Sequence, residues 1–221
     1  AFAGYRLLEH DHSSDYKALS DGQFAYLHAP YYHPILECFA GERAALGFRD
    51  VFKLTTALTD PFKSQYQYFG VWDKRMLLEV AAALRVQDHV LAGAVVASTT
   101  IDEVLDEGVF ITKEGVSPFH IPWDLQGEKK DIISTSSCKD EWDVILSALQ
   151  AQPATAHNAR ASIIWRNAAL ALTICDKPSP EDLGELFKAK LKLLNDKHDA
   201  IWKHVSDIIS GWRRKRHGNG K

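Results

Sequence analysis

Three groups of residues have the types and spacing to do chemistry. The first is His10-Asp11-His12, with Asp15, His28 and His33 further on. Two histidines one residue apart point the same way on an extended backbone and can share a metal ion. The spacing matches no closed zinc pattern, however, and a polar HDHSSD stretch reads as a solvated loop. No metal is assigned to it. The second group is His120 and Asp124 in a proline-rich stretch. A histidine beside an acid can act as a general base. Ser117 and the serines of 134–137 sit in no Gly-x-Ser-x-Gly elbow, so no nucleophile completes a triad.

The third group is the end of the chain. Trp212, Arg213, Arg214, Lys215 and Arg216 open a tail, residues 212–221, that carries five of the 26 Lys and Arg and no acid. That leaves 21 bases against 29 acids, a body of about −8 carrying a tail of about +5. Cations of this density neutralise phosphates, and Trp212 beside them can stack on a base. The tail is therefore the expected nucleic-acid-binding site.

Other signatures are missing. There is no GxxxxGK[ST] and no GxGxxG, which disfavours the usual nucleotide folds, and no kinase, zincin or EF-hand motif. No cofactor is expected. Cys38, Cys138 and Cys175 are odd in number and far apart, so a reducing, intracellular compartment and buried structural thiols are the expectation. The longest apolar run, Val90–Ala97, is eight residues, against the ~18 of a membrane span.

The elements that must position these residues read as mainly helical. Apolar residues recur at helical spacing over Ile35–Leu46, Asp50–Leu58, Val71–Arg85 and Trp142–Leu149. They do so again over Ile163–Ile174 and Leu183–Ile209. The last would run about 45 Å from Pro180 to Ser210 at 1.5 Å per residue, a length that implies either a kink near Asn195 or projection to a partner. Pro61–Phe69 reads as a loop packed on the body. Val90–Ala97 suits a buried strand or the continuation of the preceding helix. The one strand expected is Val109–Thr112, with Lys113-Glu114-Gly115 as a turn.

The expected architecture is an irregular helical bundle of about six to eight helices in one domain, 1–211, with a loop break at 115–138. The expected function is a non-enzymatic binding or assembly protein of nucleocapsid or scaffold type. Its 180–210 helix would self-associate or dock a protein partner, and its tail would hold RNA or DNA. The alternative is a small-molecule enzyme with an aromatic pocket from 24–32 and 62–72. In it His28, His33 or His120 would be the acid or base.

Overall fold

The structure is a computed structural model that describes residues 17, 32–39, 41–42, 45, 51–97, 107–120, 146–147, 149–151 and 159–207. It divides into two compact units, Ala1–Lys63 and Ser64–Lys221.

The first unit holds α1 (Ile35–Cys38) and α2 (Val51–Leu58). The hydroxyl of Thr56 donates to the carbonyl of Phe52 one turn back, at 2.7 Å. The rings of Phe39 and Phe52 stack with centroids 5.8 Å apart, and Tyr32 meets Phe62 edge-on at 5.8 Å. Asp60 and Lys63 adopt positive φ (30° and 52°), so the chain reverses sharply around Asp60-Pro61.

The second unit overturns the expectation of a mainly helical bundle with at most a small β element near 109–112. Its centre is a four-stranded sheet in the order β1-β2-β3-β4: β1 (Tyr66–Val71), β2 (Ala92–Ala97), β3 (Glu107–Thr112) and β4 (Val116–His120). β1 and β2 are parallel, with Tyr66 opposite Ala92 and Val71 opposite Ala97. β2–β3 and β3–β4 are antiparallel. Between β1 and β2 runs a 3-10 turn, Lys74–Met76, and then α3 (Leu77–Arg85). After β4 come α4 (Ala159–Cys175) and α5 (Leu183–Asp196), and the chain is helical again over 198–207.

The physical reason for the correction lies in β1 and β2. A strand covered on both faces has no polar side, so its period of two disappears from the sequence. All six residues of β2 are buried. Ala92, Ala94 and Val96 face one way and join a core with Phe110 of β3. That core also contains Ala161, Trp165, Ala169, Leu170 and Ile174 of α4, and Leu183, Phe187 and Leu194 of α5. Tyr66 and Tyr68 of β1 pack against it. On the other face α3 packs on β2 and β3 through Val80, Ala81 and Leu84. The unit is therefore three layers, with α3 on one face of the sheet and α4 with α5 on the other.

Two glycines allow the sheet to close. A Cβ at Gly93 would lie 2.9 Å from the Gln67 carbonyl oxygen, and one at Gly108 only 2.6 Å from that of Val95. The expected strand at Val109–Thr112 lies within β3, and the expected turn after it is the β3–β4 hairpin. There the Thr112 N–H donates to the Gly115 carbonyl at 2.9 Å. β4 begins where sequence irregularity was expected. Pro118 is tolerated because, among the described residues, β4 is the edge strand of the sheet. The long last helix stops at Asp196 with Lys197 as its cap, two residues past Asn195, where a kink was one of the two expectations.

Candidate functional site

In open α/β sheets ligands bind beyond the carboxyl ends of the strands. Here that means the ends of the parallel pair β1 and β2. β1 runs out into Trp72-Asp73-Lys74-Arg75, whereas the continuation of β2, 98–106, lies outside the described residues.

Asp73 is extended (φ −139°, ψ 125°) and starts the turn that leads into α3. Its Oδ1 accepts from the Arg75 backbone N–H at 2.9 Å. The guanidinium of Arg75 folds back on the same carboxylate. Nε lies 3.0 Å from each oxygen, and Nη2 lies 2.5 Å from Oδ2. This forked geometry fixes a guanidinium that remains 89% exposed. The Arg75 side-chain hydrogen bond, then its backbone N–H, hold the Asp73 carboxyl down to about 2. The same pairing raises Arg75 above its ordinary value. Asp73 therefore stays an acceptor at neutral pH and is no general acid. The exposed face of Arg75 can meet an oxyanion.

Asp73 is depressed when folded, so its contribution is present above the ordinary 3.8 and is lost as pH falls through about 2. Titration of the Asp73 carboxyl by NMR is expected to show its midpoint near 2, and Arg75→Ala is expected to move it up towards 3.8. A midpoint at the ordinary value in the unaltered protein would remove this pairing.

A second polar group lies between β1 and α4. The Tyr68 hydroxyl donates to Oδ1 of Asn167, whose Nδ2 donates to the Ile163 carbonyl at 2.8 Å. At the far end of α4, Lys177 takes a positive φ of 51° and sets its Nζ 5.7 Å from the Tyr66 ring centroid. Lys190 of α5 pairs with Asp176 at 2.5 Å. Trp165 donates its Nε1–H to the Ala151 carbonyl at 3.0 Å. The buried His198 ring sits 5.6 Å from the Trp165 ring, its Nε2 3.1 Å from the Leu149 carbonyl oxygen. These groups satisfy one another and read as structure.

Trp212, Arg213, Arg214, Lys215 and Arg216, the expected nucleic-acid contacts, lie outside the described residues. So do His10, His12, Asp15, His28, Asp124 and Cys138. His33 is hydrogen-bonded to the Thr59 hydroxyl at 2.8 Å in the first unit. His120 ends β4, exposed, in the second. Cys38 and Cys175 are exposed free thiols, each at the last residue of a helix, rather than the buried ones expected. Among the described residues no cluster of three His, Cys, Asp or Glu could hold a metal ion. Nor is any helix among them long and apolar enough to cross a membrane. The Asp73–Arg75 pair was missed because Val71–Arg85 read as one continuous helix, which hid the strand end and the turn that carry it. The signal for it was an acid two residues before an arginine at the junction of strand and helix.

Residues 1–177 match the family described as glycosyl transferase family, a/b domain. Among curated proteins the chain is 27% identical over 198 residues to an anthranilate phosphoribosyltransferase of Sulfurisphaera tokodaii, covering 87% of this chain and 55% of that protein. It is 29% identical over 176 residues to one from Brevibacillus brevis, covering 75% and 50%. The chain thus spans about half the length of these relatives. Among solved structures, anthranilate phosphoribosyltransferase from Thermus thermophilus superposes with a TM-score of 0.62 at 20% identity, over 89% of this chain and 58% of that one. These findings overturn the reading of a non-enzymatic, nucleic-acid-binding assembly protein, and the enzymatic alternative stands closer to them. The sheet explains the correction on the structural side, since among the described residues the second unit is built on a four-stranded sheet with helices packed on it rather than on helices alone. With its first 177 residues matched and the matching architecture around β1–β4, the chain belongs to the glycosyl transferase family, a/b domain.

Proposed function

We propose that this chain supplies the α/β part of an enzyme that transfers a phosphoribosyl group to anthranilate. The observation that carries this is the a/b-domain match over residues 1–177. The names of the relatives at 27% and 29% identity support the substrate class. The carboxyl end of β1 suits the donor. A phosphoribosyl group carries a phosphate, and Arg75 presents a guanidinium held in place by Asp73. The compartment we assign is intracellular, in keeping with two exposed unpaired thiols.

The test is equilibrium dialysis of the full chain against labelled anthranilate and, separately, ribose 5-phosphate as a minimal donor probe. Conversion is then assayed with an activated phosphoribosyl donor. Saturable binding of either ligand, or turnover, is expected. Absence of both binding and turnover in a folded preparation would overturn the proposal.

A further inference from the structure

His198 is buried, 5% exposed, at the head of the helical stretch 198–207. Both of its ring nitrogens meet oxygens that accept. Nε2 lies 3.1 Å from the Leu149 carbonyl oxygen, and Nδ1 lies 3.2 Å from Oδ1 of Asp199. A carbonyl has no proton to give, and neither has an ionised carboxylate. A neutral imidazole carries one N–H and serves one of these acceptors. The imidazolium carries two and serves both. Trp165 lies against the ring, with centroids 5.6 Å apart and planes at 60°. An indole at that distance attracts a cation. A buried charge is tolerated when its donors are hydrogen-bonded, and here both N–H groups have an acceptor.

We propose that His198 is a proton-operated latch, closed as the imidazolium and loosened when one ring proton leaves. It fastens the segment 149–151 to the helical stretch 198–207, beside α4. The Trp165 Nε1–H donates to the Ala151 carbonyl at 3.0 Å, and His198 reaches the carbonyl two residues earlier. The two rings therefore clasp alternate carbonyls of one segment and touch each other. Leu149, Ala151 and Ile201 pack on the core that contains Trp165. The charged group within hydrogen-bond reach of the His198 ring is Asp199, on its own stretch, with a side chain 95% exposed. α4 presents the Trp165 ring, and 149–151 presents a backbone carbonyl, neither of which titrates. When Nδ1 gives up its proton, its lone pair faces the Asp199 carboxylate. When Nε2 does so, its lone pair faces the Leu149 carbonyl. Either loss exchanges one fastening for a repulsion between lone pairs.

Hydrogen exchange of the full chain tests this, read as protection of the backbone amides of 199–207 between about pH 5 and 8, where histidine changes charge. NMR of the ring nitrogens follows the His198 protons over the same range. Protection is expected to fall about fivefold, the weight of one hydrogen bond, in step with the loss of a ring proton. Asp199→Ala removes one acceptor at an exposed position. The ring then needs a single N–H, aimed at Leu149, and protection should no longer follow the ring proton. His198→Gln keeps an amide donor for the Leu149 carbonyl and should be equally flat. Protection that stays constant while the ring passes from two protons to one overturns the proposal. So does a ring that holds one proton across the whole range, or a pH dependence that survives Asp199→Ala. Circular dichroism on each variant keeps misfolding distinguishable from an opened latch.

Discussion

A chain ended at Lys177 is expected to lose its folded α/β unit, although the match to the family ends at that residue. The segment removed contains α5, whose Leu183, Phe187 and Leu194 are 6%, 5% and 8% exposed and belong to the same core as α4 and β2. Burying three such side chains contributes about 1.5–3 kcal/mol each, roughly 5–9 kcal/mol together, as an upper estimate. A whole domain is stable by only about 5–15 kcal/mol. The cut also deletes Lys190, which pairs with Asp176, and the His198 ring against Trp165. The faces it uncovers are Ala169, Leu170 and Ile174, which are apolar and cannot be left to water. Thermal melts of 1–177 and 1–207 compare the two directly. A cooperative 1–207 beside a molten or insoluble 1–177 is the expected pair. If both melt within a few degrees, α5 is an appendage and the single-core description fails. The end of a family match is thus a statement about shared sequence, while the end of a core is set by which side chains cover it.

The parts of the fold legible in the sequence are those with one wet side. α3 shows its buried and solvated positions as a helical period, and α4 shows a run of apolar residues at the same spacing. Part of β3 and the turn after it are legible through a β-branched and aromatic run followed by Gly115, whereas β4 lies in the stretch expected to be irregular. β1 does not. Its residues alternate between half-buried and buried, yet Tyr66 and Tyr68 on one face and Phe69 and Val71 on the other are all aromatic or aliphatic. The period of two exists in space and not in polarity. β2 hides in the same way, because α3 and α4 cover its two faces. With β1 read as a loop and β2 left open between a buried strand and a helix, the remaining periodic segments were all helical, and a helical bundle followed. The candidate site was illegible for a related reason. Asp73 and Arg75 gain their meaning from lying beyond a strand that was itself unseen. The family relationship is spread thinly over nearly 200 residues at 27% identity. None of the short motifs used to read the sequence carries it.

Trp165→Ala is expected to be the most damaging single substitution among the described residues. The ring is 3% exposed in the middle of α4, and its removal leaves a cavity that α4 and the sheet cannot both close. The usual cost of deleting a buried tryptophan is about 3–5 kcal/mol. Two other contacts go with it. The Nε1–H no longer satisfies the Ala151 carbonyl, and the His198 ring loses its neighbour at 5.6 Å. Trp165→Phe separates these contributions. It keeps much of the apolar volume and removes the donor, so the hydrogen-bond share should appear alone, at about 1 kcal/mol. Urea denaturation followed by circular dichroism at 222 nm reads all of this, because a change in midpoint at constant slope is a change in stability. Combining Trp165→Ala with His198→Ala should give less than the sum of the single losses. The two rings touch, and neighbouring residues couple by about 0.5–3 kcal/mol. Strict additivity would mean that His198 is held by the Leu149 carbonyl and the Asp199 carboxylate, independently of the Trp165 ring. A loss under about 1 kcal/mol for Trp165→Ala would mean that α4 reaches the sheet through Leu170 and Ile174 without it. In that case the segment 149–151 and the helical stretch 198–207 would not be tied to the core through this one side chain.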